Sequence, residues 1–184
     1  LTPSPADQPG GPNSTQCVIG GVSLPNCEYR ISQKSEAPTW LIDFDYLPTP
    51  DVMLYAKYAR GYRQGSVNIF GPEGLQEFEP EKVDAYEIGT KTSFRGPIPG
   101  TFNVAVFYND LSDQQLQANY IPEPGTFGSP TTAILNAGSS TIQGVEVETT
   151  LKLLDDLAFN LAYTYLDTHL NELTDPVEPD NSLI

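Results

Sequence analysis

From residue 38 onward, apolar and polar positions alternate with a period of two in six runs. That is the pattern of strands with two unlike faces. In Pro38–Leu47, Trp40, Ile42, Phe44 and Tyr46 oppose Thr39, Leu41, Asp43 and Asp45. In Asp51–Arg63, Val52, Leu54, Ala56 and Tyr58 oppose Lys57, Ala59, Gly61 and Arg63. Val83–Phe94 sets Tyr86, Ile88, Thr90 and Phe94 against Glu87, Gly89, Lys91 and Ser93. The remaining runs are Thr101–Ala118, Thr141–Leu153 and Leu157–Leu170; there Phe102, Val104, Val147, Phe159 and Tyr163 fall opposite Asn103, Glu146, Glu148 and Asn160. The expectation is an all-β chain, an antiparallel meander of about six long strands. No capped segment with a 3.6-residue period stands out.

These runs exceed the usual soluble strand of about 5–6 residues and suit the roughly 9–11 residues of a tilted membrane strand. Their connections alternate. Short joints are expected at 48–50, 95–100 and 154–156, and long ones at Gln64–Lys82 and Asn119–Ser140. Transmembrane barrels show this alternation, with short turns on one side of the membrane and long loops on the other. Alternation by itself does not say whether the apolar face meets a protein core or lipid. Aromatic placement favours lipid: Trp40, Tyr58, Tyr86, Tyr108, Tyr163 and Tyr165 fall toward one end of the strands, and Tyr46, Phe94, Phe102 and Phe159 toward the other. The opposite faces are rich in Gly, Ala, Ser, Thr and Asn, with scattered charges.

Charge narrows the partners. The 184 residues carry 9 Lys+Arg against 24 Asp+Glu, a formal charge of −15, which would repel a phosphate backbone and excludes nucleic acid as a partner. One His and two Cys are too few for a His/Cys metal cluster. Residues 1–36 read as irregular, with Pro and Gly among Ser, Asn and Asp. Leu1 to Gly10 carry no basic segment followed by an apolar one, so no signal peptide reads there, and both ends read as cuts within a longer protein.

Particular residues then resemble a known family. Tyr58-Ala59-Arg60-Gly61-Tyr62-Arg63 is similar to a strand of TonB-dependent outer-membrane receptors, and Phe78 to Lys91 resembles the loop-to-strand segment that follows it. Phe107-Tyr108-Asn109-Asp110, then Asn136-Ala137-Gly138 leading into Gly144-Val145-Glu146-Val147-Glu148, and Tyr163-Thr164-Tyr165 follow in the family's order. No single piece is specific; order and spacing carry the resemblance across roughly 38–170. It implies part of a transmembrane β-barrel in the outer membrane of a Gram-negative bacterium. Residues 1–37 would be an irregular extracellular-loop segment, 38–170 the partial barrel, and 171–184 a truncated acidic loop. The implied function is TonB-coupled uptake of a scarce nutrient such as an iron–siderophore complex. The implied partners are outer-membrane lipid, a plug domain of the same parent chain, TonB through that plug, and a small-molecule ligand such as a siderophore. No enzyme activity and no cofactor are implied.

On that reading Lys57, Glu87, Lys91, Glu146 and Glu148 are structural charges of the lumen face, with Lys57, Arg60 and Arg63 offering cations to carboxylates on the next strand. Gly61, Gly89 and Gly144 suit close approach by a plug or a strong local bend. The oxidising periplasmic route and the even count favour a disulfide between Cys17 and Cys27 over two thiols or a metal pair. His169 has no partners at a catalytic spacing, and Ser139-Ser140 has no oxyanion-hole context. The acidic run Asp167, Glu172, Asp175, Glu178 and Asp180 matches no defined calcium loop and reads as solvated. Asn13-Ser14-Thr15 reads as a polar loop. Ligand contacts are expected in the outer loops Gln64–Phe78 and Asn119–Ala133. A passive porin-like barrel and a soluble β-sandwich that binds carbohydrate are the competing functions.

Overall fold

A computed structural model describes residues 30–69, 71, 74–121 and 130–173, and the backbone of 17–19 and 22–24. Six long strands carry the fold: β3 (Trp40–Thr49), β4 (Val52–Arg63), β7 (Glu81–Phe94), β8 (Gly100–Tyr120), β9 (Thr131–Leu154) and β10 (Leu157–Leu173). They form one antiparallel sheet in the order β10-β9-β8-β7-β4-β3, so each long strand lies beside its sequence neighbour. Two short hairpins stand apart, β1 (Cys17–Ile19) with β2 (Val22–Leu24) and β5 (Ser66–Val67) with β6 (Glu77–Phe78). The sheet is open: β3 and β10 are its edges.

The joints fall close to where alternation stops. Asp155-Asp156 turns β9 into β10, and residues 95–99 link β7 to β8. The first joint moves: β3 runs through Pro48-Thr49, and the turn is Pro50-Asp51 rather than 48–50. The register slips by one residue between Tyr46 and Thr49, which is a bulge at Leu47-Pro48. A bulge accommodates a proline that has no N–H to give the ladder. The turns at this end are tied together, with the Ser93 amide donating to Asp51 O at 2.8 Å and the Lys152 amide to Pro99 O at 2.9 Å.

At the other end the expectation fails more widely. β8 and β9 run to 21 and 24 residues, so 119–120 and 131–140 are strand and not loop. The connection shrinks to 121–130. Ala133, Leu135 and Ala137 are buried there together with Phe78 and Gln115. Phe78, Ala133, Leu135 and Ala137 are the buried hydrophobic core; among the described residues no second layer packs behind the centre of the sheet.

Register settles which residues share a face, because directly paired residues point the same way. One face gathers Trp40, Phe44, Leu54, Tyr86, Val104, Val147, Phe159 and Tyr163. The other gathers Asp43, Lys57, Glu87, Asn103, Glu146 and Asn160. No strand has the wrong parity. The apolar face is bare, with Ile88 61%, Phe44 67% and Tyr163 57% exposed.

The apolar band crosses the pairing rows obliquely. Its upper limit is Trp40 on β3, opposite Arg60, but Tyr165 on β10, whose row runs through Val145, Val106 and Ile88 to Ala56. Its lower limit is Tyr46 on β3, opposite Leu54, but Phe159 on β10, whose row passes through Leu151 and Gly100 to Phe94, beyond the Val52–Thr92 pair. Both limits therefore slide the same way across the sheet, by about four residues, or two same-face positions. A band oblique to the ladder lies level in a membrane only when the strands tilt and stagger, the geometry that closing a barrel requires.

Candidate functional site

On the polar face β4 and β7 build one connected group. Lys57 Nζ lies 2.8 Å from Glu87 Oε2, as their direct pairing in the ladder dictates. Tyr55 Oη donates to Glu87 Oε1 at 2.7 Å. Lys91 does not reach this carboxylate as an ion pair; its Nζ sits 5.3 Å from the centroid of the Tyr55 ring, a cation–π arrangement. Glu146 and Glu148 share the face, beside Ala105 and Asn103 on β8. Among the described residues neither has a hydrogen bond or ion pair, so the five residues divide into a bonded set on β4/β7 and open carboxylates on β9.

The glycines of this face are occupied rather than vacant. A Cβ at Gly89 would stand 2.6 Å from the Tyr55 ring, and one at Gly144 would stand 2.7 Å from the Phe107 ring and 2.2 Å from Tyr165 O. Aromatic side chains of the adjacent strand, Tyr55 and Phe107, take up the space at these bare positions, so neither glycine is an opening for a plug. The filler is the protein's own ring.

Glu87→Gln should lower the stability of the folded protein by about 1–2 kcal/mol, between the small worth of exposed pairs and the larger cost of breaking buried ones. The partner side chains are 34% and 27% exposed, which sets that intermediate range. The readout is the midpoint of heat-dependent mobility of the folded barrel. An unchanged midpoint would remove Lys57–Glu87 from the wall's stabilising contacts.

Arg60 belongs to the opposite face, contrary to the expectation that it serves the polar one. Its parity matches Tyr58, and it pairs with Asp84. Arg60 Nε donates to Asp84 Oδ1 at 2.7 Å, its Nη2 donates to Oδ2, and Tyr58 Oη donates to Oδ1 at 2.7 Å. The guanidinium also stacks 4.9 Å above Trp40. Below this pair runs a ladder of rings: Trp40–Tyr58 at 6.3 Å, Tyr58–Tyr86 stacked at 4.9 Å, and Tyr86–Tyr108 at 6.3 Å. Gln143 donates to Asp167 at 2.9 Å farther along the rim. An apolar band thus ends in aromatic rings and then in paired polar groups, the order of an interfacial girdle.

Above the rim a third group of polar residues gathers, and sequence reasoning missed it. Asn68 Nδ2 donates to Ile134 O at 2.7 Å and to Leu75 O at 2.7 Å, while its Oδ1 accepts from the Ile134 amide at 3.0 Å. The side-chain amide thus pairs with β9 as a neighbouring strand would. Asn136 does the reverse. Its Oδ1 accepts from the Glu79 amide at 2.6 Å, and its Nδ2 donates to Glu79 O at 2.9 Å and Asp113 O at 2.7 Å. Asp113 has φ 55, within a register shift between Leu111 and Gln114. Gln115 Nε2 adds donations to Gln64 O at 2.9 Å and Glu79 O at 3.0 Å. The one available signal was the Asn136-Ala137-Gly138 motif itself, which carries no spacing that reveals its partner.

His169 lies opposite Thr141 on edge strand β10. Cys17 and Cys27 as a side-chain pair, Asn13, and Asp175, Glu178 and Asp180 lie outside the described residues. Among the described residues no group of three or more His, Cys, Asp or Glu is placed to hold a metal.

Comparison with known proteins converges on one architecture. The family model described as "TonB dependent receptor-like, beta-barrel" matches residues 13–183. The chain is 33% identical over 105 residues to the pesticin receptor of Yersinia enterocolitica, covering 56% of this chain and 14% of that protein. The pesticin receptor of Yersinia pestis is 30% identical over 105 residues, with the same coverage. The "Probable TonB-dependent siderophore receptor PiuA" of Acinetobacter baumannii is 25% identical over 153 residues, covering 78% of this chain and 19% of that protein. The chain therefore spans less than a fifth of the length of these curated relatives.

Proposed function

The chain belongs to the TonB-dependent receptor-like β-barrel family, and from that premise we propose that it is wall and outer loop of a receptor in the outer membrane of a Gram-negative bacterium. The receptor draws in a scarce nutrient such as an iron–siderophore complex under TonB coupling. The observation that carries this reading is the bare apolar band, oblique to the strand ladder and rimmed by the Trp40–Tyr58–Tyr86–Tyr108 rings and the Arg60–Asp84 pair. Lipid is the solvent for that band. The polar face is then the lumen, where a plug domain of the parent chain sits and transmits the pull of TonB. Residues 1–37 and the stretch after β10 belong to outer loops on this reading; 171–173, expected as loop, are the end of β10. The work is transport, not catalysis.

A soluble β-sandwich loses its support. A sandwich covers its apolar face with a second sheet, and this face has none among the described residues.

Uptake of a radiolabelled ferric siderophore by cells carrying the full-length receptor tests the proposal. Uptake should vanish in cells lacking TonB. Uptake that persists at the same rate without TonB would make this a passive barrel instead. Substitutions on the outward surface of the β5–β6 segment should raise the half-saturating concentration while leaving barrel assembly intact.

A further inference from the structure

The geometry points to Asn68 and Asn136 as positioning residues. They lock the β5–β6 segment onto the outer half of the β8–β9 hairpin, so that the receptor meets its cargo with one rigid outer arm instead of independent loops. This rests on the transport reading only for the word cargo; the arm itself stands on the hydrogen bonds.

Three observations carry it. First, the two side-chain amides are saturated across the gap. Asn68 belongs to the loop and spends both Nδ2 donors and its Oδ1 acceptor, two of these three bonds on Ile134 of β9. Asn136 belongs to β9 and spends its side chain on the loop's Glu79 and on Asp113 of β8. Each segment reads the other's backbone, so neither can lift without breaking bonds at both points. Second, the loop around Asn68 is itself closed: the Asn68 amide donates to Gln76 O at 2.7 Å, and the Gly71 amide to Asn68 O at 3.0 Å. Strain on Ile134 therefore reaches β6 directly. Third, Phe78, Ala133, Leu135, Ala137 and Gln115 are buried in this region; the Asn136 bonds to Glu79 and Asp113 are exposed, while the Asn68 bonds to Leu75 and Ile134 are partly buried. Broken Asn68 bonds would leave polar groups poorly satisfied, which makes opening cooperative.

The positions also explain an edge. β10 pairs with β9 only as far as Gly138. Beyond it β9 continues to Thr131, and among the described residues no further strand pairs with it on that side. Asn68 closes the ladder at Ile134 in place of a strand, the kind of covering that exposed edges need.

The test is hydrogen–deuterium exchange on the full-length receptor in detergent micelles, followed on peptides spanning 64–69, 74–80, 131–137 and the wall strand 83–94. In the wild-type protein, 64–69, 74–80 and 131–137 should be protected and open together at matching rates. Asn68→Asp keeps the size and shape but removes both donors; it should speed exchange in 131–137 by about tenfold or more. Asn136→Ala should do the same to 74–80. Both should leave 83–94 unchanged, which shows that the wall is folded. Unprotected exchange of the loop in the wild-type protein overturns the proposal without any variant. So does a variant that deprotects only its own segment. Iron-chelate uptake is measured separately, so a receptor that transports nothing ferric refutes the transport reading and leaves the arm standing or falling on exchange alone.

Discussion

The 184-residue chain, refolded alone in detergent, should aggregate when the detergent is diluted below its micelle concentration. The apolar face sets the size of this effect. Ile42, Phe44, Leu54, Ile88, Phe102, Val106, Leu161 and Tyr163 remain between 44% and 67% exposed. A fully buried side chain of this kind gains about 1.5–3 kcal/mol, so at half exposure each still has about 1 kcal/mol to gain by leaving water. Together that is on the order of 8 kcal/mol, comparable to the whole stability of an ordinary domain. The edge strands β3 and β10, 10 and 17 residues long and each paired on one side only with a strand of the described residues, add a template for pairing with another copy. Light scattering during stepwise dilution, with circular dichroism to show strand content before each step, provides the measurement. A monodisperse monomer in water would contradict the assignment of this face to lipid.

Much of this is legible in the sequence, and the reason is physical. A face that must meet one solvent imposes period two on every strand that crosses it, so Tyr86, Ile88 and Phe94 share one parity even with Thr90 and Thr92 between them. The ends of those stretches place the turns within one or two residues. Legibility ends where the constraint ends. Above the rim, β8 and β9 no longer separate lipid from lumen, and register shifts at Leu111–Gln115 break the phase. Residues 131–140 therefore resemble a loop in composition while forming strand. Arg60 finds the expected carboxylate on the next strand, Asp84, but its even position sets the pair on the apolar face's rim and not on the polar face. Asn68 was invisible for another reason. Its role is side chain to backbone, and a backbone acceptor at Ile134 leaves no signature in the residue types. Lys57–Glu87 could be anticipated because both partners are side chains on neighbouring strands.

Gly144→Val should abolish folding of the full-length receptor, and the wall's glycines should rank by what their missing side chains would strike. At Gly144 an added Cβ would meet the backbone carbonyl of Tyr165 at 2.2 Å, as well as the Phe107 ring. A carbonyl in a strand ladder cannot swing aside, so β9 and β10 must separate around the Gly144–Leu166 pair. Overpacking that side chains can absorb costs about 1–3 kcal/mol; displacing a strand should cost more, and valine more than alanine. At Gly89 the obstacle is the Tyr55 ring, a side chain that can rotate away at the expense of its bond to Glu87. Gly89→Ala should therefore fold with a lowered melting point, within that 1–3 kcal/mol. Gly96 lies in the β7–β8 turn with nothing within 4 Å of the position. Gly96→Ala should stay within about 0.5 kcal/mol of the parent, like most unconstrained surface changes. Heat-dependent mobility on gels, read for all three variants in the same membranes, gives the order directly. If Gly144→Val folds as well as Gly96→Ala, the close pairing of β9 and β10 at this point is wrong, and the continuous wall from β3 to β10 fails with it.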